Sequence, residues 1–258
     1  MRLAPSPRLA HTVGHLPKKG IPMHESPLSS PSILLVGASR GLGCGMAEEF
    51  LQRGWNVTGT VRGSARTLLH DLAERHPERL VIEQVDITEP DQIAELRNRL
   101  LPHLFDILFV NAGTANRKRG DTIVDVSTEE FVRVMVTNAL SPMRTIEALQ
   151  ALVKDKGLIG IMSSGQGSVT NNSKGGHEIY RGTKAALNTY MRSYAARTAD
   201  RARPLLLLAP GWIRTELGGP DAPFTMAEAI PEVVNTVIAK QDVSGLEYLD
   251  RMGKTVAW

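Results

Sequence analysis

Tyr180 and Lys184 stand four residues apart, a spacing that puts both side chains on one face of a helix. A phenol with a pKa near ~10 is a poor base at neutral pH, and a nearby ammonium favours the phenolate. The pair is a sensible acid–base unit, able to deliver a proton to an oxygen that gains negative charge during a reaction. Alone the Y-x-x-x-K pattern is weak, because any helix can carry one by chance. Ser163 and Ser164 add context, since they end an apolar run of strand length and open α/β sheets place their sites at the carboxyl ends of strands.

A second group of residues points to a phosphate. Gly37-Ala38-Ser39-Arg40-Gly41-Leu42-Gly43 follows an apolar run and opens a helical stretch. Glycines there let the backbone turn tightly and approach a pyrophosphate, and the free N–H groups of the helix start face the anion. The spacing is G-x-x-x-G-x-G; the G-x-G-x-x-G register read from Gly41 fails at Met46. Enzymes that take NAD put an acidic residue at the end of the second strand to bond the ribose 2′-hydroxyl. No Asp or Glu lies in Thr58–Arg66, where the chain reads Thr60-Val61-Arg62. With Arg40 in the glycine turn, two guanidinium groups near a 2′-phosphate favour NADP(H); the plain alternative is two solvated arginines.

These residues need a frame that brings strand ends together. Ile33–Val36 reads as a strand, followed by a helix through about Arg53. Strands are expected at Asn56–Val61, Leu80–Val85, Asp106–Val110, Leu158–Ser163 and Pro204–Ala209. Helices are expected at Ala65–Arg75, Pro90–Leu101, Thr128–Val153 and Tyr180–Thr198. Beyond Pro210 come a Gly/Pro-rich loop, a helix near Pro231–Lys240 and a strand near Leu246–Leu249. Continuous apolar strands alternating with helices imply an α/β fold: a single-domain, Rossmann-type doubly wound parallel sheet with helices on both faces, over residues 32–258.

Composition narrows the functional classes. Residues 1–31 carry four basic residues and one acidic, which is the whole net charge of +3, so the rest of the chain offers no basic excess for nucleic acid. That N-terminal stretch is rich in Pro, Ser and His and reads as a disordered basic extension, with Met23 a second start candidate and an organelle-import segment the less favoured reading. The single cysteine, Cys44, cannot form an intrachain disulfide, which suits a reducing, cytoplasmic setting, and it reads as a small packing residue under the glycine turn. No apolar run approaches the ~20 residues of a membrane span, and no His/Cys/Asp spacing argues for a metal.

The glycine pattern, Asn111-Ala112-Gly113 after the fourth strand, the Tyr/Lys pair and Pro210-Gly211 after the sixth strand together resemble the short-chain dehydrogenase/reductase family over about residues 32–215. The resemblance implies hydride transfer between NADP(H) and a small carbonyl or alcohol substrate. Ser164 would hydrogen-bond the carbonyl, with Ser163 the competing assignment; Tyr180 would give the proton, Lys184 would hold the ribose and Asn138 would position a water. It further implies cofactor contacts from Gly37, Ser39, Arg40, Gly41, Leu42, Gly43, Arg62, Asp86, Ile87, Asn111, Ala112, Gly113, Pro210, Gly211, Ile213 and Thr215. Asp86 matches an adenine-contacting position, although it could equally be a turn or cap residue. Two departures stand out: Val36 replaces the Thr usual before the first glycine, and the polar stretch from Gly165 to Glu178 is longer than usual and could be a flexible loop over the site. The run Gly175-Gly176-His177-Glu178-Ile179-Tyr180-Arg181-Gly182-Thr183-Lys184-Ala185-Ala186-Leu187-Asn188, with terminal Trp258, is similar to the C-factor/sniffer-type carbonyl reductase subgroup. The family pattern implies a homodimer or homotetramer through flanking helices. The rival from another class is a non-catalytic, NADP(H)-sensing regulator on the same fold, which could dispense with the Tyr/Lys pair that this chain keeps. A secreted signal of the C-factor kind finds no signal peptide in its support. Specificity is expected in the Thr114–Asp121, Gly165–Ile179 and Gly218–Thr225 loops. Arg117, Lys118 and Arg119 in the first would attract an acidic substrate or simply be solvated, and His177 reads more simply as loop than as substrate mouth.

Overall fold

Ile33, Leu34, Leu35 and Val36 are all fully buried, yet alternate side chains enter two different cores, Ile33 and Leu35 one and Leu34 and Val36 the other. That is what a strand covered by helices on both faces requires, and it is why the strands read as continuous apolar runs. The computed structural model describes residue 1, residues 30–199 and residues 202–258, so the expectation for residues 1–31 falls almost wholly outside the described residues.

The strands are β1 (Ser32–Val36), β2 (Asn56–Val61), β3 (Leu80–Gln84), β4 (Phe105–Val110), β5 (Val153–Met162), β6 (Pro204–Ala209) and β7 (Gly245–Asp250). They form one seven-stranded sheet in the order β3-β2-β1-β4-β5-β6-β7, with every neighbouring pair parallel. On one face lie α1 (Gly41–Gln52), α2 (Leu68–Arg75) and α7 (Met226–Lys240), through Met46, Phe50, Leu69, Leu72, Val233 and Val237. On the other lie α3 (Pro90–Leu100), α5 (Ser141–Leu149) and α6 (Glu178–Arg197), through Ile93, Leu96, Ile146, Leu149, Leu187 and Met191. A short α4 (Thr128–Met135) precedes α5. The chain direction across the sheet reverses between β1 and β4, which opens a crevice at their carboxyl ends.

Several expected boundaries move, three of them most. The helical stretch expected over Thr128–Val153 is interrupted by a π turn at Val136–Leu140 and gives way to a 3-10 turn at Gln150–Leu152. The fifth strand starts at Val153, ahead of the expected Leu158, because a bulge opposite Phe105 and Ile107 takes up the polar Lys154-Asp155-Lys156. The last helix starts at Met226 instead of Pro231: Thr225 and Glu228 form a capping box, so the proline lies inside the helix.

Candidate active site

The turn between β1 and α1 rests on backbone packed against backbone. A Cβ on Gly37 would lie 2.7 Å from the Ala112 nitrogen, and one on Gly43 would lie 2.1 Å from the Gly37 oxygen. Asn111 Nδ2 donates to the Gly37 carbonyl at 2.7 Å, so the glycine turn and Asn111-Ala112-Gly113 form one unit. Thr60, at the end of β2, accepts from Gly37 N at 2.9 Å through its hydroxyl and from Ala38 N at 2.8 Å through its carbonyl. It supplies a hydroxyl where Val36 has none, a role that sequence reasoning missed; its only signal in the sequence was a Thr near the end of the second expected strand. Helix α1 has no side-chain cap at Arg40 and no acidic residue in its first turn, so its leading N–H groups stay open to an anion. Cys44 is partly buried in that first turn, and burial raises its thiol pKa, with Glu48 adding to the effect.

Around this turn the other expected cofactor residues take distinct positions. Ser39 is partly buried, and Leu42 packs on the core beneath the turn. Arg40 and Arg62 each lie two residues beyond the Ala38–Thr60 bridge, so both leave the sheet at one rim. Both are exposed; Arg40 pairs with Glu216 at 2.6 Å, and Arg62 makes no hydrogen bond or ion pair among the described residues. Asp86 does serve as a turn residue, its Oδ1 accepting from Thr88 N at 2.9 Å and Thr88 Oγ1 at 2.7 Å, beside a buried Ile87. After Pro210, Gly211 has φ of +91° and Ile213 is buried and bridged to Phe224. Thr215 Oγ1 accepts from Gly218 N at 2.9 Å, and its methyl carbon lies 3.9 Å from where a Gly41 Cβ would be, which sets this loop over the glycine turn.

The other half of the crevice is built by α6. Lys184 is buried, donates from Nζ to the Met162 carbonyl at 2.9 Å, and lies 5.9 Å from the centre of the Tyr180 ring. Burial alone brings its pKa down to about 8. Tyr180 keeps part of its surface open, yet desolvation pushes its phenol up to about 12, against a lowering hydrogen bond with the Ser164 side chain and a raising effect of Tyr248. The two serines part ways because neighbouring residues face opposite directions. Ser163 is buried and donates to Asn188 Oδ1 at 2.6 Å, whereas Ser164 Oγ accepts from Gln166 N at 3.2 Å and stands near enough to Tyr180 to lower its phenol pKa. The Ser164 carbonyl accepts from the buried Tyr248 hydroxyl, and Asn188 Nδ2 donates to the Gly167 carbonyl at 3.2 Å. Tyr248 and Asn188 thus fix the serine turn; Asn188 closes the run that carries the subgroup resemblance, whereas nothing in the sequence around Tyr248 marks it.

Asn138 lies in the π turn, fully buried. Its Oδ1 accepts from Thr114 N at 2.8 Å, and its Nδ2 donates to the Thr114 carbonyl at 2.8 Å and to Thr183 Oγ1 at 3.0 Å. A Cβ on Gly113 would sit 3.4 Å from Asn138 Oδ1 and 3.5 Å from Lys184 Nζ, so Asn138, Gly113 and Lys184 share one floor. The first part of the Gly165–Ile179 loop is tied down: Ser168 Oγ and Thr170 N both donate to the main-chain oxygen of Trp258, whose ring lies 5.5 Å from Tyr248. His177 is exposed, with φ of +50°, and its Nδ1 lies 3.2 Å from the Arg119 carbonyl oxygen. Among the described residues no three His, Cys, Asp or Glu side chains gather as metal ligands, and no helix is long and apolar enough to cross a membrane.

Known proteins resemble this chain in sequence and in fold. A family model described as "Enoyl-(Acyl carrier protein) reductase" matches residues 37–244. A protein described as a short-chain dehydrogenase/reductase from Burkholderia multivorans, solved with bound NADP, is 60% identical; the match covers 89% of this chain and 100% of that one, with a TM-score of 0.88. A carbonyl reductase from Pseudomonas aeruginosa PAO1, solved in complex with NADP, is 34% identical over 89% of this chain and 100% of its own, with a TM-score of 0.82. C-signal of Myxococcus xanthus is 29% identical over 155 residues, 59% of this chain and 92% of its own. With the family model spanning most of the sheet and both halves of the crevice, the chain belongs to the short-chain dehydrogenase/reductase family.

Proposed function

We propose that this protein is an NADP(H)-dependent oxidoreductase that interconverts a carbonyl and an alcohol through Ser164, Tyr180, Lys184 and Asn138. One observation carries the reading: buried Lys184 Nζ lies 5.9 Å from the centre of the Tyr180 ring on the same face of α6, and the Ser164 side chain stands near enough to the phenol to lower its pKa. Two neighbouring hydroxyls can both grip one carbonyl oxygen. The cofactor residues fit the group: the uncapped start of α1 and the Gly37–Gly43 cradle suit a pyrophosphate, and exposed Arg40 and Arg62 with no neighbouring carboxylate on β2 suit a 2′-phosphate. NADP bound to the Burkholderia and Pseudomonas relatives supports the same choice.

When bound, the dihydronicotinamide supplies the hydride. With its phenol held near 12, Tyr180 is protonated at neutral pH and able to give that proton to the oxygen as it gains charge. Ser164 donates to the same oxygen and orients it. Lys184 holds the ribose, and its ammonium eases loss of the phenolic proton. Asn138, fixed by three hydrogen bonds, positions the water that refills the proton. Association of copies through the flanking helices, as a homodimer or homotetramer, follows the family pattern.

The test is NADPH oxidation over a panel of aldehydes, ketones and quinones, with Tyr180→Phe alongside. Turnover that falls by about a hundredfold or more in the variant, with NADPH binding kept, is the expected result. Tight NADPH binding with no turnover by the wild type across the panel would favour the sensor reading instead.

A further inference from the structure

Glu216 lies in the loop that follows β6, and its carboxylate holds the Arg40 guanidinium at 2.6 Å, with both side chains largely exposed. Arg40 belongs to the glycine turn, and Arg62 leaves the same rim with no partner among the described residues. Glu216 is itself held from the far side, since Arg119 Nη2 donates to its main-chain carbonyl at 3.1 Å. Its neighbour Thr215 packs over Gly41, and Trp212 Nε1 closes the loop on the Gly218 carbonyl at 2.7 Å. The loop thus spans the crevice from the Thr114–Asp121 side to the glycine turn, and the anion it carries there sits on one of the two cations expected to take a 2′-phosphate.

We infer that Glu216 is a specificity-determining residue for the cofactor: its carboxylate competes with the 2′-phosphate for Arg40. This rests on the NADP(H) reading above. A guanidinium offers one planar fork to either a carboxylate or a phosphate, and the two anions repel one another. A cofactor with the 2′-phosphate must displace Glu216 from Arg40, whereas one without it leaves the pair intact. Glu216 therefore lowers affinity for the phosphorylated cofactor selectively, and by recapturing Arg40 it favours that cofactor's release. An exposed ion pair contributes little, so its removal is worth about two- to fivefold in affinity.

The experiment uses adenosine 2′,5′-bisphosphate and 5′-AMP, which differ only in the 2′-phosphate and carry no nicotinamide. Each is titrated calorimetrically into the full-length wild type, Glu216→Gln, Arg40→Gln and the double variant at low salt. Glu216→Gln is expected to tighten the bisphosphate by about two- to fivefold and leave 5′-AMP unchanged, the gain shrinking as salt is raised. In the Arg40→Gln background the same change should have no effect. Equal tightening of both probes, weaker bisphosphate binding or no change at all would overturn the inference. A wild type that binds both probes equally would sink the NADP(H) reading along with it, whereas a wild type that prefers the bisphosphate with an unmoved Glu216→Gln would sink the Glu216 role alone. Thermal melting of each variant checks that the fold is kept.

Discussion

Gly43→Ala and Gly182→Ala are the same chemical change on two helices, and the structure predicts opposite signs. At Gly43 the added methyl would lie 2.1 Å from the Gly37 oxygen, 2.7 Å from Asn111 Nδ2 and 2.9 Å from the Ala38 Cα. The first and third are main-chain atoms of the turn, so no rotamer change can relieve the clash. The turn must lift from α1 and give up the 2.7 Å bond from Asn111 to Gly37. Overpacking costs about 1–3 kcal/mol and a lost internal hydrogen bond about 0.5–1.5 kcal/mol, so the loss should be about 2–4 kcal/mol. On the proposed function the displaced turn should also weaken NADPH binding by at least about tenfold, because phosphate recognition at a helix start depends on where backbone N–H groups sit. Gly182 is exposed on α6 with nothing within 4 Å of an added Cβ, so alanine should stabilise the helix by about 0.5–1 kcal/mol. Urea unfolding followed by circular dichroism gives both stabilities, and fluorescence titration gives the NADPH affinity. A Gly43→Ala protein that unfolds within about 1 kcal/mol of the wild type and binds NADPH equally well would refute the geometric reasoning.

Two further substitutions test the electrostatics. Burial lowers Lys184 from 10.5 to about 8, so between those pH values the unfolded chain keeps a proton that the folded chain has released. Stability should therefore rise with pH across that window, by about 3 kcal/mol in all, and Lys184→Met should remove the rise. Tyr180 works in the opposite sense, since its folded pKa of about 12 exceeds the ordinary 10, so stability falls again above that ordinary value. Urea unfolding over the alkaline range separates the two, and a wild-type profile matching that of Lys184→Met would rule out a depressed lysine. Arg62→Gln should weaken NADPH about tenfold or more and leave NADH unchanged, because only the 2′-phosphate offers the guanidinium a charged partner; equal losses for both cofactors in a binding titration would show that Arg62 serves elsewhere.

The frame was legible wherever both faces of a strand are buried, because a run such as Ile33–Val36 or Pro204–Ala209 then has no polar position to hide it. Boundaries slipped where a local device outweighed composition. Pro231 looked like a helix start, but the Thr225–Glu228 capping box begins α7 five residues earlier. Of the site, the parts built from short spacings were readable, namely the glycine turn and the Tyr180/Lys184 pair. The parts built from long-range contacts were not. Choosing between Ser163 and Ser164 needs Asn188 and Tyr248, and Tyr248 reaches the serine turn across 84 residues of chain. The pairing of Arg40 with Glu216 was equally hidden, since it depends on how the loop after β6 folds back.

Asn138 shows how a fault in regular structure positions a side chain. A regular α-helix through this region would bond the N–H of residue 142 to the carbonyl of Asn138, but residue 142 is Pro, which has no N–H and whose ring collides with that carbonyl. The chain relieves the conflict one turn earlier by widening: Ser141 N donates to Val136 O, five residues back, where an α-helix would reach four. The extra residue in that turn changes the rotation of everything after it, so α4 and α5 present their apolar faces with different phases. Asn138, inside the wide turn, faces Thr114 and Thr183 and not solvent, and all three of its side-chain hydrogen bonds lead to the segment after β4 or to α6. A mid-helix Asn is mildly unfavourable for helix stability, and a Pro in the fifteenth position of the same helical stretch is worse. Their separation by four residues removes the contradiction, because the proline breaks the regular turn and the asparagine fills the place the break opens, across Gly113 from Lys184.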